Sequence, residues 1–336
     1  MTAIVQDEYG PDPEAVLRIG RIDRPTIGAD KVLVRVHAAS VDRGTWHVMA
    51  GLPYPIRLAG FGFRKPKSAN PGRSLAGAIE AIGSDVAGFN PGDAVFGIAA
   101  GSFAEYAAVG TDKLAPKPAN LSFEQAAAVP ISGLTALQAV RDHGRVQAGQ
   151  SVLIVGASGG VGTFAVQIAK AFDAEVTGVC STAKLDTVRA LGADHVIDYT
   201  HEDFTNGASR YDLILDTGGN RRLSHLRRAL TPRGTLVIVG GETDGRWLAG
   251  SDRQIRALAL SPFISQKLGT FVASENADDL IVLRELIEAG KLAPAIDRTY
   301  PLSEVPAALR YLLDGHAQGK VVISPVAPTP YQPPPP

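Results

Sequence analysis

Cysteine is almost missing from this chain: Cys180 is the only one in 336 residues. A single thiol excludes an intrachain disulfide, and a reducing cytoplasmic setting is the natural expectation. Excess charge of either sign is missing too. Lysine plus arginine number 33 and aspartate plus glutamate 34, so no global field draws the chain to nucleic acid or a membrane. No apolar run is long enough to span a bilayer. The opening Met1–Gly10 stretch also lacks the basic start and long apolar core of a secretory signal. A hydrophobic content of 45% does supply core enough for the two domains that 336 residues usually carry.

What stands out against these absences is one stretch, Ser151 to Lys170. Val152–Val155 is a short all-apolar run, the pattern of a parallel strand buried on both faces. Glycines follow at 156, 159, 160 and 162, and Phe164, Ala165, Ile168 and Ala169 then repeat with helical spacing. Strand, glycine turn and helix N-terminus together make an anion site, because bare backbone amides can approach a pyrophosphate and the helix dipole favours its charge. Ala157, Ser158, Gly159, Gly160 and Val161 are the turn residues expected to hold it. The spacing Gly-x-x-Gly-x-x-Gly also suits an ordinary strand-to-helix turn that needs small residues for packing. A rival chemistry shares the letters. Gly156-Ala-Ser-Gly-Gly160 matches the nucleophile elbow of serine hydrolases, with Ser158 attacking and Asp216 and His316 completing a triad. A hydrolase sheet needs alternating strands and helices upstream, whereas residues 1–120 read as mainly β.

In chain order, residues 1 to about 115 hold short β-like runs between Gly and Pro turns: Lys31–Ala38, Leu75–Ile82, Ala94–Phe96 and Phe103–Val109. Helical texture begins at Phe123 behind Ser122, a suitable N-cap, and continues over Gly133–Arg141. After the glycine turn, strands at 175–179, 193–198, 211–215, 235–239 and 267–272 alternate with helices at 183–191, 223–230 and 278–289. That alternation predicts an α/β fold with a doubly wound parallel sheet. Beyond Leu292 come a strand at 298–301, a helix at 305–314 and a last strand at 320–324. The proline-rich end is expected to be disordered.

Several further motifs carry a family likeness: Ala38-Ala-Ser-Val-Asp42, Pro91-Gly-Asp-Ala-Val-Phe-Gly97, Phe103-Ala-Glu-Tyr106, Ala126-Ala-Ala-Val-Pro130, Leu134-Thr-Ala-Leu137, Leu191-Gly-Ala-Asp194 and Gly319-Lys-Val-Val322. With the glycine turn, they make the chain resemble the medium-chain dehydrogenase/reductase superfamily, in its zinc-independent, quinone-oxidoreductase-like branch. The resemblance implies a GroES-like catalytic domain (1–122 and 291–328), a Rossmann NADP-binding domain (123–290) and a proline-rich tail (329–336). It also implies homodimers joined through the Rossmann sheets. Zinc-dependent relatives use a cysteine and the histidine of a Gly-His-Glu motif; here those seats hold Asp42 and Arg73, and one cysteine cannot build a four-cysteine site. No bound metal is expected. Where the branch has Asn-Pro and Gly-x-Asp, this chain has Asp42-Arg43 and Gly72-Arg73-Ser74, and an Asp42–Arg73 ion pair is an equal alternative to a catalytic role.

NAD-selective Rossmann domains end their second strand in Asp or Glu, about 20 residues past the glycine turn. Here that strand ends Gly178-Val-Cys-Ser181, so Ser181, Lys184 and, by the resemblance, Tyr199 are expected around a 2′-phosphate. NADPH is the expected cofactor. Without a metal to polarise a ketone or an alcohol, hydride is best delivered to an activated acceptor, a quinone or α,β-unsaturated carbonyl, whose enolate needs hydrogen-bond donors and a proton. Asp42, His47 and Tyr54 are the candidates; His47 beside Trp46 equally reads as packed, and Tyr54 between prolines as a loop anchor. Val239, Gly240 and Gly241 follow the fifth strand, at the carboxyl end where ligands gather. The resemblance adds Thr135 beside the nicotinamide, Phe263 and Ile264 covering it, and Lys320 reaching the cleft. The basic Gly60–Lys67 stretch reads as a solvated loop or as a guide for an acidic substrate. A non-catalytic NADPH-binding regulatory protein is the second reading, since such relatives are known in the superfamily.

Overall fold

The structure, a computed structural model, describes residues 1–218, 221–240, 247 and 251–325. The chain opens with an antiparallel hairpin, β1 (Thr2–Gln6) and β2 (Leu17–Arg21), with the one-turn helix α1 (Pro13–Val16) between them. Next come β3 (Lys31–Val41), α2 (Arg43–Ala50), β4 (Ser74–Ile82), β5 (Ala94–Ile98), β6 (Tyr106–Gly110) and β7 (Leu114–Pro116). These strands pair antiparallel around the long β3, which hydrogen-bonds to both β4 and β6. Helix α2 lies where the sequence reads as a loop. Its signals are local: the Asp42 carboxylate caps Thr45 N at 2.8 Å, and Gly51 ends the helix in the left-handed region at φ 62°.

Two helices lead to the glycine stretch. In α3 (Phe123–Ala127), Ser122 and Gln125 form a reciprocal capping box, and α4 (Pro130–Gln138) starts on its proline. Then β8 (Ser151–Val155), α5 (Gly160–Ala171), β9 (Glu175–Cys180), α6 (Leu185–Ala190), β10 (His195–Asp198), β11 (Tyr211–Asp216), α7 (Leu223–Ala229), β12 (Leu230–Ile238), α8 (Ser251–Leu260), β13 (Lys267–Thr270) and α9 (Ala277–Glu288) follow. All six strands are parallel, in the order β10-β9-β8-β11-β12-β13. Both faces of β8 are covered. Val152 and Ile154 join the core under α4, α5 and α9, while Leu153 and Val155 join the one under α7 and α8. Burying each such side chain stabilises the fold by about 1.5–3 kcal/mol, which is why the run carries no polar residue.

The chain then returns to the first sheet through β14 (Ile296–Pro301), α10 (Val305–Leu313) and β15 (Lys320–Ser324). β15 pairs antiparallel with β3, so strands from both chain ends form one seven-stranded sheet. The molecule is thus a doubly wound Rossmann sheet plus a mainly-β GroES-like unit. The expected strands at 31–38, 75–82 and 320–324 stand close to their predicted bounds; α8, like α1 and α2, stands where no helix was expected. The proline-rich tail lies outside the described residues. Among those residues no helix is long and apolar enough to cross a membrane.

Candidate active site

Strand order reverses between β8 and β11, which opens a crevice at their carboxyl ends. Gly156 turns there with φ 82°, and a β-carbon on it would stand 2.6 Å from Thr217 Oγ1 and 3.0 Å from Gly218 N. On Gly162 a β-carbon would come 2.1 Å from the Gly156 carbonyl oxygen, so α5 can rest on the turn only with glycine there. The five expected turn residues divide their work. Ala157 donates its amide to Val179 O at 3.1 Å and Gly159 to Gly156 O at 3.0 Å, so these two shape the turn. Gly160 and Val161 lie in the first turn of α5, whose amides have no partner within the helix. Ser158 N has no backbone partner among the described residues, and the Ser158 carbonyl accepts from Gly319 N at 2.9 Å.

That last bond brings β15 onto the turn. Lys320 is 2% exposed; its Nζ donates to Val41 O at 2.9 Å, and its Cδ would lie 3.2 Å from a β-carbon on Gly160. Burial pushes this ammonium below the usual lysine range, and Asp42 pulls the other way. Asp42 is buried as well, with Oδ1 on Thr45 N and Oδ2 without a hydrogen-bond partner. A desolvated cation with one acceptor for three donors, beside a helix N-terminus, is unfavourable until an anion arrives. Turn, open amides and buried ammonium therefore fit a pyrophosphate-bearing cofactor.

Beyond the carboxyl end of β9, Tyr199 N donates to Cys180 O at 3.2 Å, which sets Tyr199 beside Ser181. Lys184 crosses to the other sheet's side of the molecule, giving Nζ bonds to Gly315 O (3.1 Å) and Ala317 O (2.9 Å). Burial holds its ammonium below the usual lysine range, with Asp297 opposing. A carboxylate that the sequence reading passed over, Asp198, sits here too. Hydrogen bonds from the Thr182 and Thr200 hydroxyls hold its pKa below the ordinary aspartate value.

The remaining candidates scatter more. Thr135 spends its hydroxyl hydrogen on Ile131 O at 2.7 Å, so toward a ligand it is an acceptor. Val239 and Gly240 lie at the carboxyl edge, both amides on Asp216 O; Gly241 lies outside the described residues. Phe263 is a correction. It precedes β13 at the amino edge, where Ser265 Oγ reaches Pro232 O, and it is 82% exposed. It lies on the opposite edge of the sheet from the glycine turn, so it covers no nicotinamide. The carboxyl flank of β13 is the segment that approaches, with Ser274 N on Gln138 Oε1 at 2.8 Å and Glu275 on Arg73. That second contact also corrects the Asp42–Arg73 pair: Arg73 and Lys113 both go to Glu275. His47 Nδ1 contacts Leu52 O at 2.9 Å, and the Tyr54 ring lies under Arg57 and edge-on to Trp247. The hydrolase triad is not brought together. Asp216 pairs with Arg253 at 2.8 Å, and the His316 ring packs 5.9 Å from Tyr311. Thr217 and Ser132, whose oxygens flank the glycine turn, were not singled out in the sequence; only the strand-end position of Thr217 could have flagged it. Among the described residues no three His, Cys, Asp or Glu side chains group as a metal site.

Comparison with known proteins finds the same layout. Residues 28–119 match the alcohol dehydrogenase GroES-like domain family, and residues 191–323 match a family described as zinc-binding dehydrogenase. A mouse mitochondrial NAD(P)H oxidoreductase is 35% identical over 96% of this chain and 89% of its own. A 2-methylene-furan-3-one reductase from Solanum lycopersicum is 33% identical over 90% of this chain and 74% of its own. The structure of Escherichia coli quinone oxidoreductase with NADPH superposes with a TM-score of 0.80, at 25% identity, covering 97% of this chain and all of that one (100%).

Proposed function

The chain belongs to the zinc-independent, quinone-oxidoreductase-like branch of the medium-chain dehydrogenase/reductase superfamily, and from that premise we propose that it reduces a quinone or an α,β-unsaturated carbonyl with NADPH. The observation that carries the reading is the buried Lys320 ammonium over Gly160, next to an Asp42 carboxylate with an unpartnered oxygen. The reduced nicotinamide supplies the hydride; binding, orientation and proton handling fall to the chain. The amides of Ser158, Gly160 and Val161 take the pyrophosphate with the α5 dipole behind them, and Lys320 neutralises its charge. Ser181, Tyr199 and Lys184 favour a 2′-phosphate, against the nearby charge of Asp198. Asp42, His47 and Tyr54, on one segment, form the acceptor's wall and are the groups through which the proton that the reduced acceptor needs would pass. The names of the tomato and Escherichia coli relatives, an enone reductase and a quinone oxidoreductase, support this acceptor class.

A homodimer is part of the proposal. Among the described residues β13 has an unpaired sheet edge, flanked by exposed Phe263 and by Val272, which is 95% exposed. Light scattering that returns the mass of a single chain would exclude it. The decisive experiment for the reaction is NADPH oxidation by purified protein over a panel of quinones and 2-enones. Turnover with at least one acceptor is expected. Silence across the panel with NADPH still bound would move the protein to the regulatory, non-catalytic reading.

A further inference from the structure

From Arg43 to Ile79 the chain has no Asp or Glu but six cations, Arg43, Arg57, Arg64, Lys65, Lys67 and Arg73, in a protein whose charges balance only over its whole length. The middle of this stretch forms a firmly held projection. Lys67 N closes it onto Phe61 O at 2.8 Å, and the Tyr9 hydroxyl lies 2.8 and 2.7 Å from the Phe61 and Gly62 carbonyls beneath it. Arg57 is gripped between the Tyr9 and Tyr54 rings, at 4.5 and 4.8 Å. On the outer side Leu58 is 76% and Phe63 69% exposed, and Trp247, also exposed, extends the apolar surface from Tyr54. Arg64, Lys65 and Lys67 follow Phe63 in the chain, are exposed, and make no ion pair among the described residues. Of the acids on the segment packed below, Asp7 pairs with Arg18 and Asp12 with Arg310, leaving Glu8 and Glu14 to oppose the projection.

We propose that the 57–67 projection docks on an anionic phospholipid bilayer, inserting Phe63 and Leu58 at the headgroup boundary while Arg64, Lys65 and Lys67 meet the lipid phosphates. Exposed apolar side chains next to uncompensated cations match a soft, negatively charged plane. A protein partner would need roughly 800 Å² of complementary surface on this side, more than so short a segment offers. The docking does not depend on the reaction proposed above and is tested without turnover. Full-length protein is sedimented with phosphatidylcholine vesicles, with or without phosphatidylserine, alongside Leu58→Ser/Phe63→Ser and Arg64→Glu/Lys65→Glu; both change exposed side chains, and melting curves verify folding. Wild type should partition to the serine-containing vesicles at least tenfold more than to neutral ones, with each basic side chain contributing about fivefold. Both variants should lose about tenfold or more. Failure of wild type to sediment with anionic vesicles overturns the proposal. So does binding that survives Leu58→Ser/Phe63→Ser and transfers equally to heparin, which marks a simple polyanion site. Self-association abolished by the same variant, without lipid binding, would assign the tip to a second copy.

Discussion

Lys320 sets a stability cost against a binding gain at a single residue. Its ammonium is held below the ordinary lysine value by burial, so the unfolded chain binds more protons between the folded value and 10.5. Stability from this site therefore rises as pH climbs through that interval, and below it the full cost of the buried charge is present. Lys320→Met keeps the length and removes the charge. The cofactor-free variant should melt higher than wild type at neutral pH, with the difference shrinking at alkaline pH. NADPH affinity should fall about tenfold or more, because a charge-assisted contact is lost. Thermal melts across pH and calorimetric titration check both halves. A lower melting temperature at every pH would instead assign Lys320 to holding β15 against Val41. The Gly-Lys-Val motif marked this lysine in the sequence. Its nearly complete burial was not legible, because it depends on Gly160 and Val41, which are far from it in the chain.

Elements were legible where their signals were local and obscure where a distant partner decides. The all-apolar β8 run and its glycines announced strand, turn and helix, since buried strands and close backbone approach leave few residue choices. Helix α2 was hidden because Asp42 was weighed as a chemical group rather than as the cap it also is. Phe263 was misread because the sequence near β13 does not say which end of the strand meets the cleft; the parallel crossover through α8 settles that. Arg73 found Glu275 across 202 positions, a pairing no spacing rule could reveal. The ion pair that anchors α8 belongs at this scale. Arg253 reaches from the first turn of α8 to Asp216 at the end of β11, where the carboxylate is fully buried, and to Gly240 O at 3.2 Å. Arg253→Met strands a buried charge, so stability should fall by about 3–5 kcal/mol in chemical denaturation. A loss below about 1 kcal/mol would mean that α8 is held by its apolar face alone.

Across the whole molecule, polar ties join the two sheets beside an apolar seam in which Ala38, Phe96 and Val322 pack into the core of the parallel sheet. Gly319 N reaches Ser158 O, Gln167 exchanges two 2.9 Å bonds with Ala293, and Ser40 Oγ donates to Ala127 O. Lys184 adds a tie beyond the carboxyl end of β9, bonding the carbonyls of Gly315 and Ala317 beyond α10. An ammonium has three donors, and two go to these carbonyls, so one is left for a phosphate oxygen without breaking the tie. On the proposal above, a 2′-phosphate beside Ser181, Tyr199 and Lys184 would fasten the two halves together. NADH, lacking the phosphate, would leave the tie as it is. Lys184→Met should weaken NADPH about tenfold or more while NADH changes less than about threefold, read by titrating both cofactors. Equal weakening of the two would show that Lys184 works only as the strap between the halves. Cofactor choice would then rest on Ser181 and Tyr199, with the charge of Asp198 opposing them.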